Sequence, residues 1–237
     1  MKKILFSLVA LVCSMSMNAQ VMKVMKNGEV VATYNGAEYT VVFEEEPAGS
    51  TTTGTAKRTG DIGVNWVQLW ENGPKFAEYN VGVTDGKAES SGEYYTWGGS
   101  QDKVNDNNTG NTNLTGDNDT ATKLWGNNWR MPTQTELEAL IANCNVEWTT
   151  VNGVSGSRFT GKIAPYNSNS IFLPAAGFYS FASRYEEGFK GADTGRYWSS
   201  TAHTTAGSGK YLYLTSSRQA VTYDYQRGYS VRAVLAE

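Results

Sequence analysis

The sequence is poor in the side chains that most often carry chemistry. It holds two cysteines and one histidine in 237 residues. Cys13 falls in the leader described below, so Cys144 is the one thiol left to the remainder, and no intrachain disulfide can form there. A single histidine, His203, cannot supply a 2-His-1-carboxylate metal site within one chain. A Ser-His-Asp triad would have to use it as well, yet His203 sits in the polar stretch from Thr201 to Gly209, which reads as a surface loop. Basic clusters are missing too. Twenty Lys and Arg are outnumbered by 23 Asp and Glu, and no basic run or stripe exists. A nucleic-acid backbone would find no electrostatic footprint on such a chain. No apolar run approaches the roughly 20 residues that a membrane-spanning helix takes.

What is present begins with a leader. Lys2 and Lys3 precede the apolar run Ile4 to Val12, and a polar, small-residue stretch ends at Asn18-Ala19-Gln20. This is the layout of an export signal. Residues 1–19 are therefore expected to be a signal peptide, which implies an exported protein in the periplasm, at the cell surface or secreted. Ala10-Leu11-Val12 places no small residue directly before Cys13, against lipidation at that thiol. Without residues 1–19, which hold two Lys and no acid, 18 basic side chains face 23 acidic ones, a balance of −5. A disulfide-free domain must rely on its core, and about 180 residues can bury one of sufficient size. The 40% apolar and 18% charged composition, rich in Trp, Tyr and Gly, suits a compact, turn-rich domain.

Residues 20–45 alternate in a strand-like way around Asn27-Gly28 and Asn35-Gly36, and the spacing predicts a three-stranded β meander. Residues 46–61 have no apolar periodicity and read as a linker rich in Gly, Ser and Thr. The main domain is expected over 62–237. One helix there is well marked. Thr133 and Glu136 form a capping box, and Leu137, Leu140, Ile141 and Cys144 follow at i, i+3, i+4 and i+7. Cys144 accordingly reads as a small core residue. A shorter helical turn is expected from Asp119, carrying Ala121 and Leu124. Ser100 to Thr115, nearly all Asn, Asp, Thr and Gly, reads as an exposed loop.

Several dispersed motifs then fall in one order. They are Trp66-Val67-Gln68-Leu69 through Tyr79-Asn80-Val81-Gly82, Gly92 to Gly98, Trp129-Arg130-Met131-Pro132-Thr133, Phe172 to Gly177, Tyr197-Trp198-Ser199-Ser200-Thr201, and Arg227 to Arg232. Together they resemble the Fibrobacter succinogenes major paralogous domain family over roughly residues 62–234. The N-terminal meander is similar to the short module that often precedes this domain in gut Bacteroidetes. The family is similar to the C-type-lectin-like fold, shared with formylglycine-generating enzymes and with variable proteins of diversity-generating retroelements. The resemblance implies an α+β fold: small twisted antiparallel sheets, one or two helices and long loops, with Tyr229 to Val234 as a closing strand. It also implies an exported or surface protein.

The chemistry of those relatives is hard to place here. Formylglycine-generating enzymes use redox-active cysteines, and Cys144 stands alone on the helix. Two carboxylates could cleave a glycosidic bond if they faced one another, and Asp61, Glu71, Glu78, Glu93, Asp193 and Asp224 are available. Asp117-Asn118-Asp119 is the best calcium candidate, since Ca²⁺ takes hard oxygen ligands, but it lacks the Gly and bidentate Glu of an EF-hand. An Asx turn with Asp119 capping a helix is the preferred reading, and no metal or other cofactor is assigned. Asp119-Thr120-Ala121 resembles the three-residue acceptor of periplasmic O-glycosylation in Bacteroidetes. Trp66, Trp97, Trp125, Trp129 and Trp198 read as core, and Arg130 and Arg232 as structural cations held by local carboxylates or carbonyls.

The segment from His203 to Arg227 differs in character. Tyr211 and Tyr213 alternate with Leu212 and Leu214, which puts the tyrosines on the opposite strand face. With Arg218, Tyr223, Tyr225 and Arg227 they are expected to form an aromatic, arginine-bearing binding surface, because Tyr and Arg are enriched in hot spots. In the related retroelement variable proteins the corresponding stretch is the binding surface. The expected function is thus non-catalytic recognition of a protein or glycan. The alternatives are an enzyme of the formylglycine-generating lineage and a structural component of a surface assembly.

Overall fold

A computed structural model describes the chain except residues 1, 7–11, 15–20, 27–28, 36–38, 44–51, 60–61, 100–110, 181–187, 192, 225–226 and 237; the strands before residue 50 and residues 188–190 enter through their backbone pairing alone. The chain divides into two compact units, Met1–Thr51 and Thr52–Glu237.

In the first unit, β1 (Lys2–Phe6) and β5 (Tyr39–Phe43) pair in parallel. The second sheet is antiparallel, in the order β2 (Val12–Ser14), β3 (Val21–Lys26) and β4 (Glu29–Asn35). The antiparallel pairing of β3 with β4 is as expected, with Asn27-Gly28 outside the described residues, but the three-stranded meander is not, because β5 pairs with β1 and not with β4. Val41, Val42 and Phe43 are consecutive apolar residues, so β5 has no distinct polar face, and pattern alone leaves such a strand's partner open.

The second unit is a mixed α+β fold of small, mostly antiparallel sheets with two helices among the described residues. Its largest sheet has five strands. They are β6 (Thr53–Lys57), β7 (Gly63–Gln68) and β8 (Lys75–Ala77), then a C-terminal strand and a short strand at Trp129–Arg130. Thr53–Lys57 had read as linker. It escapes pattern reading because its inward residues are Gly54 and Ala56, too small to register as apolar periodicity. Gly54 is required: a Cβ there would stand 2.6 Å from the Trp66 ring opposite.

Helix α1 (Thr120–Trp125) starts on Asp119, whose carboxylate accepts from the Thr122 N–H. The same carboxylate accepts from the Met131 N–H, which fixes β9 (Trp129–Arg130) beside the helix. Ala121 is buried as expected, but Leu124 is exposed and Trp125 takes the inward place. Helix α2 (Gln134–Asn143) carries the full capping box of Thr133 and Glu136. Its apolar face buries Leu137 and Leu140, with Cys144 directly behind.

Beyond α2, β10 (Cys144–Val151), β11 (Val154–Gly161) and β12 (Ser170–Pro174) form one antiparallel sheet. Asn152 and Gly153 both take positive φ in the β10–β11 turn, as a two-residue hairpin loop requires. A second small sheet joins β13 (Phe178–Ser180) to β14 (Gly188–Lys190) and to β18 (Arg227–Gly228). A third comprises β15 (Gly195–Ala202), β16 (Gly209–Leu214) and β17 (Gln219–Asp224). The closing strand anticipated at Tyr229 to Val234 is broken up. Tyr229 bridges Tyr95, Ser230 bridges Tyr197, and only β19 (Val234–Leu235) enters the five-stranded sheet, between β8 and β9. Arg232 falls in this break, and its buried side chain donates to the Asn80 side chain and the Ala77 carbonyl.

The β15–β16–β17 sheet has an apolar core on each side. Tyr197, Leu212 and Leu214 join Leu137, Leu140, Cys144 and Phe159 on the α2 side. Trp198 and Tyr211 join Trp97, Trp125, Trp129 and Tyr229 on the other. All five tryptophans expected in the core are buried. Each large side chain buried in this way contributes about 1.5–3 kcal/mol. Indole donors stitch the second core together, with Trp97 Nε1 donating to the Ser199 carbonyl at 2.8 Å and Trp198 Nε1 to the Tyr95 carbonyl at 2.7 Å. Leu114, inside the stretch expected to be an exposed loop, is buried here as well, and its N–H donates to Ser200. A single leucine among Asn, Thr and Gly is enough to anchor a loop to a core.

Candidate functional site

Strand alternation divides the expected binding residues between two faces. Register pairs Tyr211 with Thr222 and Lys210 with Tyr223, and directly opposed residues share a face. Tyr223 therefore lies on the side opposite Tyr211 and Tyr213. It is 49% exposed, stacks on His203 at 3.6 Å and 2°, and has the Lys210 ammonium 5.6 Å from its ring centroid. His203 is thus half-buried against Tyr223, and its Nδ1 accepts from the Thr205 N–H. Arg218 is exposed in the β16–β17 turn, away from both groups. Tyr225 lies outside the described residues.

The Tyr211 expectation needs correcting. The alternation holds, but the face Tyr211 shares with Tyr213 is covered by a second core, so Tyr211 is buried with its ring 4.6 Å from Tyr229 and 5.8 Å from Trp198. Tyr211 is floor, not rim. Tyr213 and Arg227 remain half-buried at the edge of that floor.

Three residues not proposed for binding complete the edge: Arg196, Phe178 and Asp224. Arg196 opposes Tyr213 across β15 and β16. Its guanidinium carbon stands 4.2 Å from the Phe178 ring centroid, 5.4 Å from Tyr213 and 5.6 Å from Tyr229. Arg227 stands 5.0 Å from the Phe178 centroid. Cations over aromatic rings are attracted by the ring quadrupole, more so when partly desolvated.

A chain of polar contacts links these groups. Arg196 Nη1 donates to the Tyr229 hydroxyl at 3.2 Å, and that hydroxyl donates in turn to Asp224 Oδ2. Arg227 Nη1 donates to the same oxygen at 3.1 Å and forms an ion pair with it. Burial foremost, and then the Asp224 charge, push the Tyr229 phenol well above its ordinary pKa. Tyr229 is accordingly a fixed neutral donor. Asp224 and Arg227 form an ion pair, whereas Arg196, among the described residues, meets a phenol and three rings, and its Nε is buried without a hydrogen-bond partner. A signal for Arg196 was present in the sequence: it shares strand parity with Trp198, which puts a cation on a face otherwise occupied by core aromatics.

The other chemical candidates resolve into structural roles. Asp119 is 2% exposed and its oxygens are taken by backbone N–H groups; burial outweighs those bonds and raises its pKa. It caps a helix, and no group of three His, Cys, Asp or Glu able to hold a metal occurs among the described residues. Thr120 is 2% exposed, with its hydroxyl turned to the Gly99 carbonyl, so the O-glycosylation reading fails on access. Burial pushes the Cys144 thiol up to about 12. Arg130 is forked onto Glu136 at 2.6 and 2.8 Å. Glu78 accepts from Asn65, and Asp61 lies outside the described residues. A cavity of about 330 Å³ beside Asp119, Met131 and Ser200 is lined in part by groups already committed to these structural bonds. No helix among the described residues is long and apolar enough to cross a membrane. Comparison with family models, with curated proteins and with solved structures finds no match.

Proposed function

We propose that this chain is an exported, non-catalytic recognition module of C-type-lectin-like fold, related to the Fibrobacter succinogenes major paralogous domains. It binds a protein or glycan at the cell surface or in the periplasm. The observation that carries this reading is the half-buried edge of Tyr213, Arg196 and Arg227 standing over the packed floor of Trp198, Tyr211 and Tyr229. Rigid aromatic and arginine side chains on a preformed floor bind at low ordering cost. Small antiparallel sheets with two helices are compatible with the proposed fold. The buried Cys144 thiol, pushed up to about 12, speaks against a thiol-based activity of the formylglycine-generating kind.

The test is a glycan array and a panel of exported proteins probed with the full chain, followed by two variants. Tyr213→Ala is expected to weaken binding, and Tyr223→Ala, on the opposite sheet face, to leave it unchanged. Loss of binding in Tyr223→Ala with none in Tyr213→Ala would place the function on the other face and overturn the assignment.

A further inference from the structure

We infer that β10 is the contact strand of a homodimer: two copies of this chain join their β10 strands antiparallel about a two-fold axis at Trp148, making one continuous sheet. The inference is independent of the recognition site above and concerns another sheet of the domain.

Backbone hydrogen bonds decide which strand edges are closed. The Asn152-Gly153 loop is a two-residue turn, which closes on a hydrogen-bonded pair, here Val151 with Val154. Alternation along the antiparallel ladder then turns the backbone groups of Val151, Thr149, Glu147 and Asn145 towards β11, and those of Thr150, Trp148 and Val146 outward. β10 is a terminal strand of its sheet. Among the described residues, no hydrogen bond reaches the outward N–H or C=O groups of those three. The opposite edge of the same sheet is different: the Phe172 carbonyl accepts from Arg232 and the Pro174 carbonyl from the Tyr197 hydroxyl. β10 also lacks the devices that protect an open edge. It is 8 residues long, where about five or six are usual. Its register runs from Cys144 to Val151 without a bulge, and it holds no Pro or Lys and one charge, Glu147.

The residues of β10 are complementary to their own reverse. In a two-fold pair centred on Trp148, Trp148 opposes its own copy, Val146 opposes Thr150, Glu147 opposes Thr149 and Asn145 opposes Val151. The outward groups of Val146, Trp148 and Thr150 then meet one another and close about six N–H···O bonds, two for each hydrogen-bonded pair. Centring on Glu147 would set two carboxylates directly opposite, which destabilises a pair, and centres nearer either end pair fewer residues. With Trp148 at the centre the carboxylates are diagonal neighbours, about 7–8 Å apart at the backbone, a repulsion that salt screens in part. A strand with one charge offers no pattern to select an acidic or a basic peptide, whereas it matches a second copy at every position from Asn145 to Val151.

Trp148 supplies the packing. It is half-buried beside the α2 core, with Val146 on the same face, and Trp is among the residues most enriched in binding hot spots. Directly opposed residues share a face, so both copies turn their α2 sides the same way. Cys144 then stands opposite Asn152 of the second copy, which keeps the two helix ends about 27 Å apart along the strands. One strand edge is a small contact beside the roughly 1,600 Å² of a stable interface, so the dimer is reversible.

The experiment is analytical ultracentrifugation of the full chain over a range of concentrations. The expected result is a mass that rises from 25.9 kDa towards twice that value. Thr150→Pro should weaken the association about tenfold or more, because it removes an outward N–H and leaves the β11 ladder whole. Trp148→Lys and Trp148→Glu should each abolish self-association, since like charges then face each other at the axis, and an equimolar mixture of the two should restore a dimer. Thermal unfolding checks that each variant folds; if the Trp148 variants do not, Thr150→Pro still decides whether this edge is used. A chain that stays monomeric at every concentration would overturn the inference, and so would a dimer that Thr150→Pro leaves unchanged. Loss of the dimer in Thr150→Pro, with no rescue in the mixture of folded Trp148 variants, would mean that a different segment takes the edge and would overturn the self-pairing.

Discussion

Replacing Arg232 by Met should cost more than almost any other single change in the molecule. The side chain is 1% exposed and joins segments far apart in sequence. Its Nε donates to Asn80 Oδ1 at 2.8 Å, Nη1 to the Ala77 and Glu78 carbonyls at 3.1 and 2.6 Å, and Nη2 to the Phe172 carbonyl at 2.9 Å. It thereby ties the end of β8 and the turn after it to β12. Burial acts against the charge, pulling the Arg232 pKa down to about 10. Met removes the donors and leaves three buried acceptors and one partly buried one without them, at about 1 kcal/mol apiece. Release from desolvating a cation offsets part of that, so the expected net loss is about 3 kcal/mol, a large share of a domain's usual 5–15. Urea denaturation followed by tryptophan fluorescence reads this directly. Arg232→Lys should fall between, since an ammonium cannot reach all four acceptors at once. A Met variant within about 0.5 kcal/mol of the unaltered protein would refute the reasoning, because surface substitutions already fall in that range.

Three further expectations test other parts of the fold. Trp198→Ala should lose about 3–5 kcal/mol, since a fully buried indole leaves a cavity and takes one of two donors from the Tyr95 carbonyl; a thermal midpoint like that of the unaltered chain would place Trp198 outside the core. Burial raises the Glu136 pKa, but the Arg130 and Thr133 hydrogen bonds together outweigh it and hold the carboxyl below 4.5. A depressed folded pKa means this contribution is complete above pH 4.5 and is lost as pH falls through the folded value. Glu136→Gln should therefore be less stable by about 1–2 kcal/mol at neutral pH and should close the gap under acid; a gap that persists in acid would argue against the ion pair. Cys144 should resist thiol reagents at mildly alkaline pH until the chain is unfolded, and rapid native-state labelling would contradict its burial.

How much of this was legible in the sequence depended on whether a signal was local. The α2 capping box at Thr133 and Glu136 involves four neighbouring residues and was readable in full. So was the burial of the tryptophans, because few other environments accept so large an apolar surface. The Asn152-Gly153 turn is equally local, an Asn-Gly pair flanked by Val151 and Val154. Thr53–Lys57 was not legible, since the large residue it packs under belongs to another strand. The candidate site failed on the same ground. Alternation separated Tyr211 and Tyr213 from Leu212 and Leu214, but only the β16–β17 register shows that Tyr223 faces away. Only the packing of Trp198 and Tyr229 shows that Tyr211 is covered.

The arginines of this domain separate structure from function better than its aromatic residues do. A buried tyrosine looks the same whether it serves the core or a ligand, because ring packing satisfies it in either role. A cation is more demanding, since its desolvation must be met by named acceptors. Arg232 and Arg130 meet that demand inside the fold, which accounts for them without a ligand. Arg58 and Arg196 do not, and each has a buried Nε without a partner. Arg58 packs over Tyr79 and Trp125, rings already fixed in the core, so aromatic contact is what the described residues around it supply. Arg196 shares its ring with a second guanidinium and borders phenol and carboxylate oxygens that are held in place. One carboxylate serves both cations, since Asp224 accepts from Arg227 directly and from the Tyr229 hydroxyl to which Arg196 donates. The Arg196 Nε is what these contacts leave unmet, which is why the arginines, and not the abundance of tyrosine, mark this edge.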